Sequence, residues 1–234
     1  MQQKTALLIL LFFLLTISPF SFGQTHRDRV YINGGSSLWE NFTKEMYLYP
    51  SFKEGLVDLK DGRLIRAPLN YNKVLATVQF INVKNDTLVI ANESTVNLIR
   101  IGDDLFFYRP QCVQSINPES KVKLYRQATV RIADVRQVGA LGVANTSGGV
   151  ESLNQVYTWM NSYQLQANEK LLLSKETNFY IDGNDNELLP ASKSSILRRH
   201  GKNAARIKNY IKSNKTNFNN EKDLLQLTQY ISTL

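Results

Sequence analysis

Reactive side chains are scarce in this chain of 234 residues. It contains one cysteine, Cys112, and two histidines, His26 and His200. A single cysteine excludes an intramolecular disulfide, and one cysteine with two distant histidines is too little for a zinc site. A Ser-His-acid triad would need one of these histidines, and no Gly-x-Ser-x-Gly motif accompanies them. We therefore expect no catalytic residue, no metal ligand and no cofactor, and we expect Cys112 to be a small buried hydrophobe.

Carboxylates are the remaining material for acid and base chemistry. Sequence spacing gives no way to place two of them at the separation that glycoside hydrolysis requires, and an aspartate at a turn commonly serves the turn. The polar stretch 182–187 does not fit a calcium loop, because its glycine is second and its twelfth position is Lys193. A secreted hydrolase remains an alternative, with five candidate carboxylates: Asp58, Asp61, Asp103, Asp104 and Asp134.

The first 23 residues have the pattern of a signal peptide. A short positive start is followed by the apolar run 6–15, and the small residues of 21–23 suit cleavage before Gln24. The alternative is an uncleaved membrane anchor. We expect an exported protein of the periplasm, the outer-membrane surface or the extracellular space, with no transmembrane segment in the mature chain.

Composition and charge divide the rest of the chain. A hydrophobic content of 43% is too high for a disordered chain. After cleavage 27 basic and 20 acidic residues would remain, and nine basic residues against two acidic ones lie from residue 191 onward. We therefore expect a leader at 24–54, a nearly neutral β-domain at 55–185 and a basic helical unit at 191–234.

Short strands separated by turns dominate the middle of the chain. An Asp-Gly pair at residues 61 and 62 predicts a hairpin, and apolar residues alternate through 74–80 as in a half-buried strand. Further strands are predicted at 87–91, 96–101, 105–108, 121–125 and 129–135, with a final hairpin from 171–174 and 178–181. Residues 139–149 are expected to be a flexible loop. Residues 37–47 are expected to be either a short helix or part of a loosely ordered leader. The pattern predicts an α+β fold, mainly β: an antiparallel sandwich, roll or small barrel with a C-terminal unit of two or three helices.

The C-terminal unit is expected to be amphipathic. Ile196, His200, Ile207 and Ile211 fall on one side of a helix over 196–211, which Gly201 is able to split because glycine is unfavourable within a helix. His200 is expected to pack or to cap the helix. The opposite side carries six candidate anion-binding residues: Arg198, Arg199, Lys202, Arg206, Lys208 and Lys212.

Residues 48–72 contain a Gly-x-Val-x-Leu-x-Asp-Gly stretch followed by Leu-Asn-Tyr-Asn. The stretch, together with the ending RIKNYIKSNKTNFNNEKDLLQLTQYI, resembles a group of small secreted proteins from Gram-negative bacteria. This resemblance implies a β-rich envelope protein with a helical end, and it implies no catalytic residues.

Three functions remain open. The first is a non-enzymatic binding or structural role in a bacterial envelope, with an envelope protein or an anionic surface as partner. The others are the hydrolase described above and binding of an anionic lipid or polysaccharide surface through the basic helix. Nucleic acid is an unfavourable partner for an exported protein, although a basic helix would suit its phosphates.

Overall fold

The Asp-Gly pair at residues 61 and 62 forms the predicted hairpin turn. Gly62 has a φ of +86°, a left-handed conformation that glycine adopts without steric cost. Asp61 stabilises the same turn, because its carboxylate accepts hydrogen bonds from the backbone N–H and from Nε of Arg63. The flanking strands pair with Val57 opposite Ile65. The sequence prediction is confirmed here.

The computed structural model describes residues 26–33, 38–138, 144–147, 169–183 and 187–234. Within these ranges the chain is mainly antiparallel β-sheet with four α-helices, which confirms an α+β fold that is mainly β. The strands are β1 (His26–Asn33), β2 (Lys53–Leu59), β3 (Leu64–Asn72), β4 (Thr77–Ile81), β5 (Thr87–Val89), β6 (Val96–Ile101), β7 (Asp104–Tyr108), β8 (Cys112–Ser115), β9 (Leu124–Val138), β10 (Ala144–Ser147), β11 (Glu169–Asp182) and β12 (Leu188–Pro190). The helices are α1 (Leu38–Met46), α2 (Lys193–Arg199), α3 (Ala204–Ser213) and α4 (Glu221–Ser232).

One open sheet contains all of the described strands. Its order is β1-β11-β9-β8-β7-β6-β2-β3-β4-β5, and β10 and β12 extend it by pairing with the long strands β9 and β11. The sheet is open, because its two end strands, β1 and β5, do not pair with each other among the described residues. Outside the strand ladders, the backbone N–H of Val130 in β9 donates to the carbonyl of Lys73 just after β3, at 3.0 Å, so β9 contacts the turn that follows β3.

Two strand predictions were wrong in the second half of the sheet. The expected hairpin of 171–174 and 178–181 is the single strand β11. The expected strand 129–135 is part of β9, which begins at Leu124 and so includes only the last two residues of the expected strand 121–125. Lys175 and Glu176 resembled turn residues, but both are paired within the sheet. Lys175 Nζ lies 2.5 Å from a carboxylate oxygen of Glu45, and Arg27 contacts Glu176 at 2.5 Å.

The strand expected to begin at Val74 begins three residues later. Residues 73–76 form a turn, in which Ala76 has a φ of +52°. The side-chain oxygen of Asn72 accepts hydrogen bonds from the backbone N–H groups of Val74 and Leu75. A side chain that satisfies two backbone donors in this way favours a turn over a ladder.

The leader contributes to the sheet, which the sequence did not predict. β1 pairs along its length with β11, and α1 packs Phe42 and Met46 into a cluster with Ile32, Val130 and Leu173. Of the two alternatives for 37–47, the helix is the correct one, and its ends lie within one residue of the expected ones. β1 lies at the edge of the sheet and most of its side chains are exposed. Its sequence is therefore mostly polar and lacks the apolar alternation that predicts a strand.

The loop prediction for 139–149 is wrong at residues 144–147. Residues 144–147 form β10 and pair with 135–138, and the rest of that stretch lies outside the described residues. In the polar stretch 182–187, residues 184–186 lie outside the described residues, and the backbone N–H of Gly183 donates to the carbonyl of Glu187 at 2.8 Å. β8 was also not predicted, although Cys112 within it is buried as expected.

Three helices follow the sheet and pack on it through one apolar cluster. Gly201 does split the predicted helix, because α2 ends at Arg199 and a 3-10 turn over Gly201–Asn203 leads into α3. Asn220 caps α4 by accepting a hydrogen bond from the backbone N–H of Asp223, at 3.1 Å. The fully buried members of this cluster are Leu124, Ile181, Ile196, Ile207, Leu224 and Leu227.

Candidate functional site

The six basic residues expected to bind anions all occupy exposed positions on α2, α3 and the turn between them. Lys208 and Lys212 are four residues apart in α3 and therefore share one face of that helix. No acidic side chain of the described ranges forms an ion pair with any of the six, so their charges are available to solvent. We call the six residues the basic surface: Arg198, Arg199, Lys202, Arg206, Lys208 and Lys212.

The apolar side of the same segment fixes the basic surface to the sheet. Ile196 and Ile207 are fully buried, and Ile211 is nearly so. Ser192 caps α2, because its hydroxyl accepts a hydrogen bond from the backbone N–H of Ser195 at 3.2 Å. The helices therefore hold their cations on a firmly packed support, and the side chains alone need to be ordered when an anion binds.

His200 ends α2 and is half-buried. Its backbone N–H donates to the carbonyl of Ile196 at 3.0 Å, which confirms the predicted capping position. Burial, and then the neighbouring charge of Arg199, lower the pKa of the imidazole from its ordinary value. The ring is therefore neutral at neutral pH and adds no charge to the basic surface.

Three of the five candidate carboxylates accept hydrogen bonds from different side chains, and a fourth, Asp134, lies in β9. Asp58 accepts a hydrogen bond from Asn97 at 2.7 Å, and Asp61 binds Arg63 within its turn. Asp103 is exposed in the turn before β7. Across the residues that the structure describes, no group of three or more His, Cys, Asp or Glu side chains is close enough to hold a metal ion. The hydrogen bonds of Asp58 and Asp61 give these two aspartates structural roles.

Asp104 belongs to a polar chain that crosses the sheet from the segment after α1 to α4. One of its carboxylate oxygens accepts from Tyr49 Oη at 2.5 Å, and the other accepts from Gln114 Nε2 at 2.7 Å. Gln114 then accepts from Arg126, whose second nitrogen contacts Glu221 at 2.8 Å. Burial, and secondly Asp104, raise the pKa of Tyr49, so its hydroxyl stays protonated and donates.

The polar chain was not predicted from the sequence. Its members come from five separate segments, and none of them forms a motif with its sequence neighbours. One sequence signal for the polar chain was available. Side chains alternate between the two faces of a strand, which places Asp104 and Gln114 on the same face as buried Phe106. Both oxygens of Asp104 are already occupied, and we therefore assign the chain to positioning rather than to acid chemistry.

The residues that carry the family resemblance are explained by packing and turns. The side chain of Asn70 pairs with both the backbone N–H and the carbonyl of Tyr49, at 3.1 and 2.9 Å. Gly55 is required for close packing, because a Cβ there would lie 2.6 Å from Leu69 Cδ1 and 2.7 Å from the carbonyl oxygen of Arg100. This stretch therefore specifies a hairpin and its attachment to the leader, and the resemblance itself stays a prediction.

The chain matches no known protein-family model, no curated protein and no solved structure. Among the helices in the described ranges, none combines the length and the apolar character needed to cross a membrane.

Proposed function

We propose that this chain is an exported, non-enzymatic binding protein of a bacterial envelope, and that its basic surface contacts the phosphate or carboxylate groups of an anionic surface there. The observation that supports the proposal is the exposure of all six cations, none paired with a described acidic side chain, on helices anchored by Ile196 and Ile207. Such a cluster attracts anions by summed charge rather than by a shaped pocket.

The expected location narrows the partner. Export rests on the pattern of residues 1–23, which lie outside the described residues. Beyond the cytosol the abundant anions are lipid phosphates, lipopolysaccharide and acidic glycans, so these are better partners than nucleic acid. The hydrolase alternative gains no support, because Asp58, Asp61 and Asp104 are hydrogen-bonded to different side chains.

Binding to two anionic probes tests the proposal. The chain from residue 24 onward is expected to bind heparin and phosphatidylglycerol vesicles and to leave neutral phosphatidylcholine vesicles unbound. A charge near an anionic membrane contributes about 1 kcal/mol, so removing four should weaken vesicle binding by about 1,000-fold. Added salt should release the wild-type chain from both probes. The test variant replaces four residues with alanine: Arg198, Arg199, Lys202 and Arg206.

A matched control removes the same number of charges elsewhere. Its four positions are all exposed and lie in the β-sheet or its turns: Arg29, Lys60, Lys84 and Arg131. This control should keep most of the binding. Equal losses in the two variants would show a response to net charge alone, and unchanged binding of the test variant would refute the role of the basic surface. Vesicle binding without heparin binding would identify lipid phosphate as the partner, and the reverse would identify an acidic glycan.

A further inference from the structure

A second group of cations lies on the β-sheet, far in sequence from the basic surface. Leu56 in β2 is directly opposite Arg66 in β3 on one side and Arg100 in β6 on the other. The adjacent residues Val57 and Ile99 are buried, and side chains alternate between the two faces of a strand. Arg66 and Arg100 therefore share the outer face of the sheet and flank Leu56.

A groove of about 270 Å³ lies between these arginines. This volume is just below the range of about 300 to 1,000 Å³ that is typical of small-molecule sites. One boundary of the groove is Gly102, which has a φ of +59° and brings no side chain into the space. We call this feature the arginine groove, and its lining residues are Glu54, Gly55, Leu56, Arg66, Arg100 and Gly102.

The charges of the groove are not used within the described structure. Arg66 and Arg100 are exposed, and neither forms an ion pair or a side-chain hydrogen bond with another described residue, even though Glu54 lines the same space. Neighbouring strands are about 4.8 Å apart, so the two arginines start about 10 Å apart with β2 between them. Their long side chains are able to meet a single group held above Leu56.

We propose that the arginine groove binds a small ligand that carries a carboxylate or phosphate group beside an apolar part. The planar guanidinium forms paired hydrogen bonds that match the oxygens of both groups. Leu56 is half-buried between the arginines and offers an apolar floor, and Glu54 favours a ligand that also has a hydrogen-bond donor. This site is separate from the basic surface, and its existence does not depend on the function proposed above.

Amide chemical shifts recorded by NMR test the site directly. The protein should already carry the four alanine substitutions of the basic surface, so that binding there is weakened. Inorganic phosphate and hexanoate are the probes, and acetate shows the contribution of the apolar part. Saturable shifts centred on Gly55, Leu56 and Gly102 are expected, with a Kd on the order of 1 mM for probes of this size.

Substitution of each arginine should identify the contacts. Arg66→Gln and Arg100→Gln should each weaken binding about tenfold or more, because each removes a charge-assisted hydrogen bond. Arg131→Gln is the control, since Arg131 is exposed at a distant position of β9, and it should bind as the parent does. Saturation by phosphate alone or by hexanoate alone would identify the group that is recognised. Shifts that stay linear with probe concentration, or that persist unchanged in both glutamine variants, would overturn the site.

Discussion

Asn72 shows how a single residue specifies the path of the chain. It is fully buried, its oxygen accepts from the backbone N–H groups of Val74 and Leu75 at 2.9 and 3.0 Å, and its nitrogen donates to Gln79 at 2.8 Å. These bonds end β3 and direct the chain into β4. Without the amide of Asn72, the backbone N–H groups of Val74 and Leu75 would lose their acceptor. A buried donor left without a partner costs about 1 to 3 kcal/mol.

Asn72→Ala should therefore lower the free energy of unfolding by about 2 to 4 kcal/mol, measured by urea denaturation. Asn209→Ala is the control, because Asn209 is exposed in α3 and a surface change of this kind stays within about 0.5 kcal/mol. A loss below 1 kcal/mol for Asn72→Ala would show that water replaces the missing amide, and that the motif is not required for the turn.

At the scale of elements, α4 joins the helical unit to the sheet. Leu224 and Leu227 are fully buried beside Leu124 of β9, and Asn117 donates to Thr228 of α4 at 3.2 Å. The Arg126 and Glu221 pair adds a polar contact at the start of the helix. The helical unit and the sheet therefore share a core, and we expect them to unfold together.

Leu227→Ala tests this shared core. Truncating a fully buried leucine should lower the free energy of unfolding by about 2 to 5 kcal/mol. Gln226→Ala changes the exposed neighbour in the same helix and should have little effect. Circular dichroism and tryptophan fluorescence should give coincident transitions for both variants. A separate early transition of the helices, with the main transition unmoved, would show instead that the two parts fold independently.

The elements also show what the sequence was able to predict. Hairpins with local signals were found correctly, as at Gly62, and the amphipathic pattern located the helices and the exposure of the basic surface. The long strands β9 and β11 were divided wrongly. In β11 the charged residues Lys175 and Glu176 indicated a turn, but they form ion pairs with α1 and β1. The polar chain and the arginine groove depend on strand order, and strand order is fixed by contacts between distant segments that no local pattern encodes.

At the scale of the whole molecule, the core contains ionisable groups that are held neutral. Burial is the first cause of a raised pKa for Cys112 and for the hydroxyls of Tyr49, Tyr71, Tyr108 and Tyr125. In the unfolded chain these groups ionise near their ordinary values of 9.0 for cysteine and 10.0 for tyrosine. The unfolded state therefore releases protons first as the pH rises. The stability that the protonated forms of these groups contribute is fully present below about pH 9 and declines progressively at higher pH.

The alkaline loss should be steep and should depend on Tyr71 in a measurable way. Each buried tyrosine that stays protonated removes about 1.4 kcal/mol of stability per pH unit above its unfolded pKa. Tyr71 Oη has no hydrogen-bond partner among the described residues, so Tyr71→Phe should leave stability near pH 7 within about 1 kcal/mol of the parent. Above pH 10 the variant should lose less stability per pH unit than the parent, and the difference should be the contribution of one tyrosine, about 1.4 kcal/mol. Urea unfolding at a series of pH values from about 8 to about 11 measures this difference. An unchanged alkaline slope would mean that Tyr71 ionises equally in the folded and unfolded states, and hence that water reaches its hydroxyl within the folded core.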